Sequence, residues 1–174
     1  MKKLQNDLMV ASDLQDALVA EITELLSETS STNVQGEAVT GVTGYKQFLP
    51  VLRNDDDTPD MYFPYFIVRL DGATTEDDND LWNVRTDILI GIHDEGDDNQ
   101  GHKVMLNVIT RIVNRFSQEA TLGKPGKKAF RCQSKMEWAL QDEDTWPYFF
   151  GGVSLTFSVP KPSRKDPILD GYDE

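Results

Sequence analysis

One cysteine and two histidines are all that 174 residues offer of the side chains most often recruited for thiol chemistry and soft metal ligation. The lone Cys132 excludes an internal disulfide framework and suits a reducing compartment. No apolar run approaches the roughly 20 residues that span a bilayer. The N-terminus, MKKLQNDLMVASDLQ, reaches Asp7 and Asp13 where a signal peptide would need an apolar stretch, so cytoplasmic synthesis is expected. Basic residues are also scarce: 17 Lys and Arg stand against 30 Asp and Glu, a net charge of −13. Nucleic-acid binders gain affinity by neutralising phosphates with Lys and Arg, so this balance argues against a protein that grips DNA or RNA. It leaves room for a surface that DNA passes without sticking.

The constellations that carry catalysis are missing as well. The stretch HDEGDDNQGH gathers His93, Asp94, Glu95, Asp97, Asp98 and His102. Its spacing matches neither a helical His pair nor a calcium loop with a bidentate Glu at position twelve, so it is expected to be a solvated turn capping a helix. GKPGKK lacks the spacing of a phosphate loop and follows a helix instead of a strand. Cys132 falls on an apolar face with no His nearby in sequence, which suits a buried structural thiol. No Gly-x-Ser-x-Gly elbow occurs. Catalytic, cofactor and metal residues are therefore expected to be none.

What is present is periodicity. Leu4, Leu8, Ala11, Leu14, Leu18, Ile22 and Leu25 recur every three or four residues, predicting an amphipathic helix from Leu4 to Leu26. Ser27 to Gly44 is rich in Ser, Thr and Gly and predicts a long flexible connection. YKQFLPVLR, Tyr45 to Arg53, predicts a short edge strand because it holds Pro50. Tyr62 to Leu70 and Leu81 to His93 predict two longer strands, the second alternating through Trp82, Val84, Thr86, Ile88, Ile90 and Ile92. Met105, Val108, Ile109, Ile112, Val113 and Phe116 predict a second helix from Gln100 to Phe116. Phe130 to Leu140 and Phe149 to Val159 predict the last strands, with Gly151 breaking the alternation of the second. Residues 1–160 are then one α+β domain in the order α-β-β-β-α-β-β, a two-layer sandwich. Its sheet is mainly antiparallel, of about five strands, with two helices on one face. Residues 161–174 are expected to form an extended C-terminal arm.

Short turns join neighbours that run in opposite directions, which assigns the loops to ends of the sheet. On that tracing three acidic loops share one end: Asp55, Asp56, Asp57 and Asp60; Asp94, Glu95, Asp97 and Asp98; and Asp142, Glu143 and Asp144. Lys124, Lys127, Lys128 and Arg131 fall at the other end, beside Glu76, Asp77, Asp78 and Asp80. Such polarity suits a subunit that stacks or joins a ring, and equally the ordinary acidity of solvated loops.

The acidic end also receives a sequence echo. FPYF, from Phe63, and WPYFF, from Trp146, each open a strand with aromatic-Pro-Tyr-Phe. Proline at a strand's first position loses no ladder hydrogen bond. Neighbouring rings in a strand point to opposite faces, so Phe63, Tyr65, Trp146, Tyr148 and Phe150 cannot all enter one core. The open alternatives are closure of the bottom of the core and burial by another subunit.

FPYFIVRLDGA, then LWNVRTDILIGIHDEGDDNQGHKVMLNVITRIVNRF, then KMEWALQDEDTWPYFFGGVSLTFSVP, resembles the tail terminator (tail completion) proteins of long-tailed bacteriophages and prophages. The matching positions are Pro64 to Phe66, Asp94 to Gly101 and Trp146 to Gly152, and the likeness covers Tyr62 to Pro160. The long Ser27 to Gly44 loop and the Glu76 to Asp80 insert depart from the pattern. The resemblance implies a small virion subunit, made in the host cytoplasm, that forms a ring, usually a hexamer, on the head-proximal end of the tail tube. It implies the tail tube protein and a head connector as partners, DNA only passing through the lumen, and no covalent chemistry. Phe63, Tyr65, Trp146, Tyr148, Phe150 and the four basic residues are then candidate interface positions, and the acidic loops candidates for the lumen. The alternatives are another head–tail joining protein, such as a head-closure or connector component, and a carboxylate-dependent metal enzyme.

Overall fold

A computed structural model describes residues 11–77, 81–123 and 129–161. Helix α1 (Ala11–Leu25) and helix α2 (His102–Gln118) lie on the same face of a seven-stranded sheet, an α+β arrangement. A small hairpin, β1 (Ser30–Thr32) with β2 (Ala38–Thr40), stands apart from that sheet. The sheet is built from β3 (Thr43–Lys46), β4 (Tyr65–Thr74), β5 (Trp82–His93), β6 (Thr121–Gly123), β7 (Ala129–Cys132), β8 (Glu137–Leu140) and β9 (Tyr148–Val159). Its order is β3-β4-β5-β9-β7-β6, with β8 paired to β9 below β7.

The helical stripes meet the alternating strands as their periods dictate. Leu14, Leu18 and Ile22 of α1 and Met105, Val108, Ile109, Ile112 and Phe116 of α2 are buried. They close on Phe66 and Val68 of β4, Val84, Ile88, Ile90 and Ile92 of β5, and Val153, Leu155 and Phe157 of β9. Burying each such side chain contributes about 1.5–3 kcal/mol. Arg115 of α2 ties the two helices together through an ion pair with Glu21 of α1. It also donates to the carbonyls of Glu119 at 2.8 Å and Thr121 at 3.1 Å, closing the helix end. Leu4 and Leu8 of the first stripe lie outside the described residues.

Several expectations are corrected. The Ser27 to Gly44 segment is structured: Asn33 Oδ1 accepts hydrogen bonds from the backbone N–H of Gln35 at 3.0 Å and Glu37 at 2.9 Å, closing the β1–β2 turn. Such an Asx turn is held by polar groups, so it leaves no apolar signature. The strand expected over Tyr45 to Arg53 stops at Lys46, because Gln47 adopts φ 60° and turns the chain. It also runs parallel to β4, not antiparallel, since the connection from Gln47 to Pro64 exceeds the dozen residues a parallel crossover requires. Past that point the Gln47 side chain takes over the pairing: its Oε1 accepts from Leu70 N at 2.7 Å and its Nε2 donates to Leu70 O at 3.3 Å. Phe130 to Leu140 is two strands, parted at Gln133, whose N–H bonds Thr156 O at 2.8 Å. β9 pairs with β5 without interruption from His93↔Tyr148 to Trp82↔Val159. At Gly151, where the apolar alternation lapses, the neighbouring backbone comes close, a Cβ there standing 3.1 Å from Ala139 O. The bulge lies in β4, between Leu70 and Gly72.

Candidate functional site: the acidic, aromatic end of the sheet

The two echoes meet. Tyr65 of β4, Gly91 of β5 and Phe150 of β9 occupy one cross-strand row on the face away from the helices. Gly91 has no side chain, and a Cβ there would stand 2.6 Å from the Tyr65 ring and 2.9 Å from the Phe63 ring. The Tyr65 and Phe63 rings fill that space. Phe63 is the hub, with ring centroids 5.0 Å from Tyr65, 4.9 Å from Tyr148 and 5.7 Å from Phe150. The contacts to Tyr65 and Phe150 are edge-to-face, the geometry that ring quadrupoles favour. Leu49, Ile67 and Leu89 complete this second cluster. Both aromatic–proline bonds, Phe63–Pro64 and Trp146–Pro147, are cis. Each proline carbonyl accepts from a neighbouring segment, Pro64 from Thr43 N at 3.4 Å and Pro147 from Asp94 N at 2.9 Å.

The candidate interface aromatics therefore divide. Phe63 and Tyr65 are buried within the chain and belong to a core, which corrects their expected surface role. Burial also pushes the Tyr65 hydroxyl above its ordinary pKa. Tyr148 and Phe150 are half-buried at the rim. Trp146 is 48% exposed, its indole Nε1 donating to Gly96 O at 3.3 Å.

Polar ties draw the acidic loops around this rim. Asn99 Nδ2 lies 3.4 Å from both Asp144 carboxylate oxygens, and the Trp146 N–H donates to Asp144 at 3.2 Å. The second and third acidic loops thus form one surface. A cleft of about 270 Å³ between them is lined by His102, Met105, Asp142, Glu143 and Phe149 among others. From the first loop the connection runs through Asp60, which accepts from the Tyr148 hydroxyl at 3.3 Å. Asp55 and Asp56 sit in a separate exposed turn, closed by Asn54 Nδ2 donating to Asp57 at 3.0 Å. The Thr58 hydroxyl bonded to Asp60 holds that carboxyl below its usual range, with help from Tyr148. Desolvation, reinforced by the Asp60 charge, raises the Tyr148 hydroxyl in turn.

His93 was expected in a solvated turn, and the structure corrects this: it is 1% exposed, its ring tilted 51° to that of Tyr148 with centroids 5.5 Å apart. Its Nε2 is 3.3 Å from Glu95 Oε1, and its carbonyl accepts from the Thr32 hydroxyl at 3.3 Å. The strand's outward position sets it against Tyr148 of the paired strand β9, a tertiary neighbour with no signal within its own strand. Among the described residues no three His, Cys, Asp or Glu side chains stand close enough to share a metal ion.

At the far end of the sheet, β9 finishes about 36 Å away at some 3.3 Å per residue. Arg131 is exposed there, opposite Ser158 of β9. Lys124, Lys127, Lys128, Asp78 and Asp80, like the arm beyond residue 161, lie outside the described residues. Cys132, beside Arg131, is buried, and burial raises its thiol to about 11. No helix among the described residues is long and apolar enough to cross a membrane. No protein-family model and no curated protein sequence matches the chain.

Proposed function

We propose that the chain is a structural building block that works by surface complementarity, as one subunit of a ring. Within that class the reading is a tail terminator of a long-tailed bacteriophage or prophage. The subunit caps the head-proximal end of the tail tube, stops tube polymerisation and offers the surface on which the head connector docks. The observation that carries the reading is the convergence of Pro64 to Phe66, Asp94 to Gly101 and Trp146 to Gly152 at one end of the sheet. Asp94 N bonds Pro147 O, and Phe63 packs on Tyr148 and Phe150. These are the three segments that carry the resemblance, and together they make one rim with a half-exposed tryptophan. Acidic loops around that rim would repel DNA backbone and so suit a lumen through which DNA passes unretained.

Electron microscopy of particles made without this gene tests the reading. Tails of irregular length with heads unjoined are expected. Tails of normal length with heads unjoined would indicate a head-closure or connector component instead, and normal infectious particles would overturn both.

A further inference from the structure

The face of the sheet away from the helices carries two depressions that run into one another, sharing Asp87, Glu137 and Ser154. The one nearer the far end, about 330 Å³, is polar, with Asp71, Arg85, Lys135 and Thr156 around it. The other, about 720 Å³, is mainly apolar, and Leu89, Ala139, Phe150 and Gly152 line it. Leu89 of β5, Gly152 of β9 and Ala139 of β8 form one cross-strand row, and the two small residues in that row leave the opening. The result is a groove along β9 that changes from polar to apolar towards the acidic end. Among the described residues nothing fills it.

We propose that residues 162–174 of the same chain fold back into this groove, with Ile168 seated over Gly152. The inference goes beyond the ring reading and does not depend on it. The described chain ends at the far end of the sheet, where Lys161 Nζ donates to the Thr75 hydroxyl at 2.9 Å and lies 5.9 Å from the centre of the Trp82 ring. From there residues 162–174 span up to about 43 Å when extended. Gly152 lies about 23 Å back from Val159 along β9, at some 3.3 Å per residue. Pro162 and Pro167 fix their own φ and bias the residue before each towards extended backbone. Ile168 follows Lys161 by as many residues as Gly152 precedes Val159, so a segment that doubles back brings the two level. An extended segment turns alternate side chains to the surface beneath it, so Arg164 and Asp166 go with Ile168. They come level with the polar half of the groove, where the exposed pairs Arg85–Asp71 and Lys135–Glu137 offer both signs of charge. Polar residues followed by an apolar one is thus the order in the segment and in the groove alike. The opposite face of β9 has no such opening, because Val153, Leu155 and Phe157 are buried there in the helix-covered core. A partner that uses the groove must first displace the segment.

Asp170→Cys combined with Gln141→Cys in the full chain, treated with a short bismaleimide, tests the contact. Gln141 is exposed beside the groove, its N–H donating to Phe150 O at 3.0 Å. The native chain is the blank because Cys132 is buried. Asp170→Cys combined with Thr110→Cys, exposed on α2 across the sheet, is the control for a segment that is only tethered. The first pair should link within one chain about tenfold more than the second, the excess that docking gives over tethering alone. Equal linking of the two pairs, or none in the first, would overturn the inference. A product of twice the chain mass would place the segment on a neighbouring copy and overturn the fold-back as well. Adding Ile168→Asp, which puts an unpaired charge into the apolar half, should bring the first pair down to the level of the control. Ile168→Leu should leave it unchanged. Linking that survives Ile168→Asp undiminished would count against the groove.

Discussion

The ring of Phe63 packs 4.9 Å from that of Tyr148, so the two aromatic-Pro-Tyr-Phe segments are the two sides of a single cluster. They are brought together by β5, which lies between β4 and β9 and is bare at Gly91. The echo is a packing device first. What it leaves exposed is the rim, Trp146 above all.

Phe63→Ala and Trp146→Ala should therefore separate stability from assembly. Removing the buried Phe63 ring should cost about 3–5 kcal/mol, read as a lower denaturation midpoint. Trp146→Ala should lower stability by less than about 1 kcal/mol, since the indole is half exposed and makes one long hydrogen bond. If the chain caps tails as proposed, the same variant should nonetheless reduce the fraction of tails correctly capped. An equal loss of stability in both variants would return Trp146 to the core.

Gly91→Ala is expected to destabilise in spite of its size. The added methyl would lie 2.6 Å from the Tyr65 ring, and relieving that overlap typically costs about 1–3 kcal/mol. Combining it with Tyr65→Leu, which removes the ring, should restore part of the loss. Urea denaturation of the three variants measures the coupling.

Asp60 gives a pH dependence. Its carboxyl is held below the usual range by Thr58 first and then Tyr148, so the charged form is favoured in the folded state. The resulting stability is fully present above the unfolded carboxylate value, about 4, and disappears as pH falls through the lower folded value. The stability advantage of the native chain over Asp60→Asn should be constant from pH 7 to about 5 and shrink below that. An advantage that grows on acidification would contradict the arrangement.

Cys132 should resist thiol reagents in the folded chain. With its pKa raised to about 11, only about one thiol in a thousand is ionised at pH 8, and the sulfur is buried as well. Titration with a disulfide reagent at pH 8 should give slow reaction that becomes complete within seconds once the chain is unfolded. Fast reaction of the native protein would show that β7 opens readily.

Much of the helical layer was legible in the residues. Leu14, Leu18 and Ile22, and Met105 through Phe116, repeat at the helical period, and their burial follows from it. The alternation from Val84 to Ile92 marked the helix-facing side of β5 equally well, because a strand with one apolar face has only one way to be buried. Shared placement of the acidic loops at Asp94 to Asp98 and Asp142 to Asp144 also held, with direct ties between Asn99 and Asp144. Their placement does not depend on the direction of β3, since those two loops are set by β5, α2, β8 and β9 alone.

The sequence by itself determined which residues could enter a core, which way the long strands face and how strongly negative the surface is, because these follow from local periodicity and composition. Tertiary structure alone decided that β3 is parallel to β4, that Phe63 and Tyr65 are interior and that His93 is covered. Each of these depends on where a distant segment returns: the crossover from Gln47 to Pro64 reverses β3, and the Phe63 and Tyr65 rings fill the space over Gly91 and pack on Tyr148 and Phe150 from the far end of the chain. Those contacts form between residues far apart in the chain, and no spacing rule within either segment encodes them.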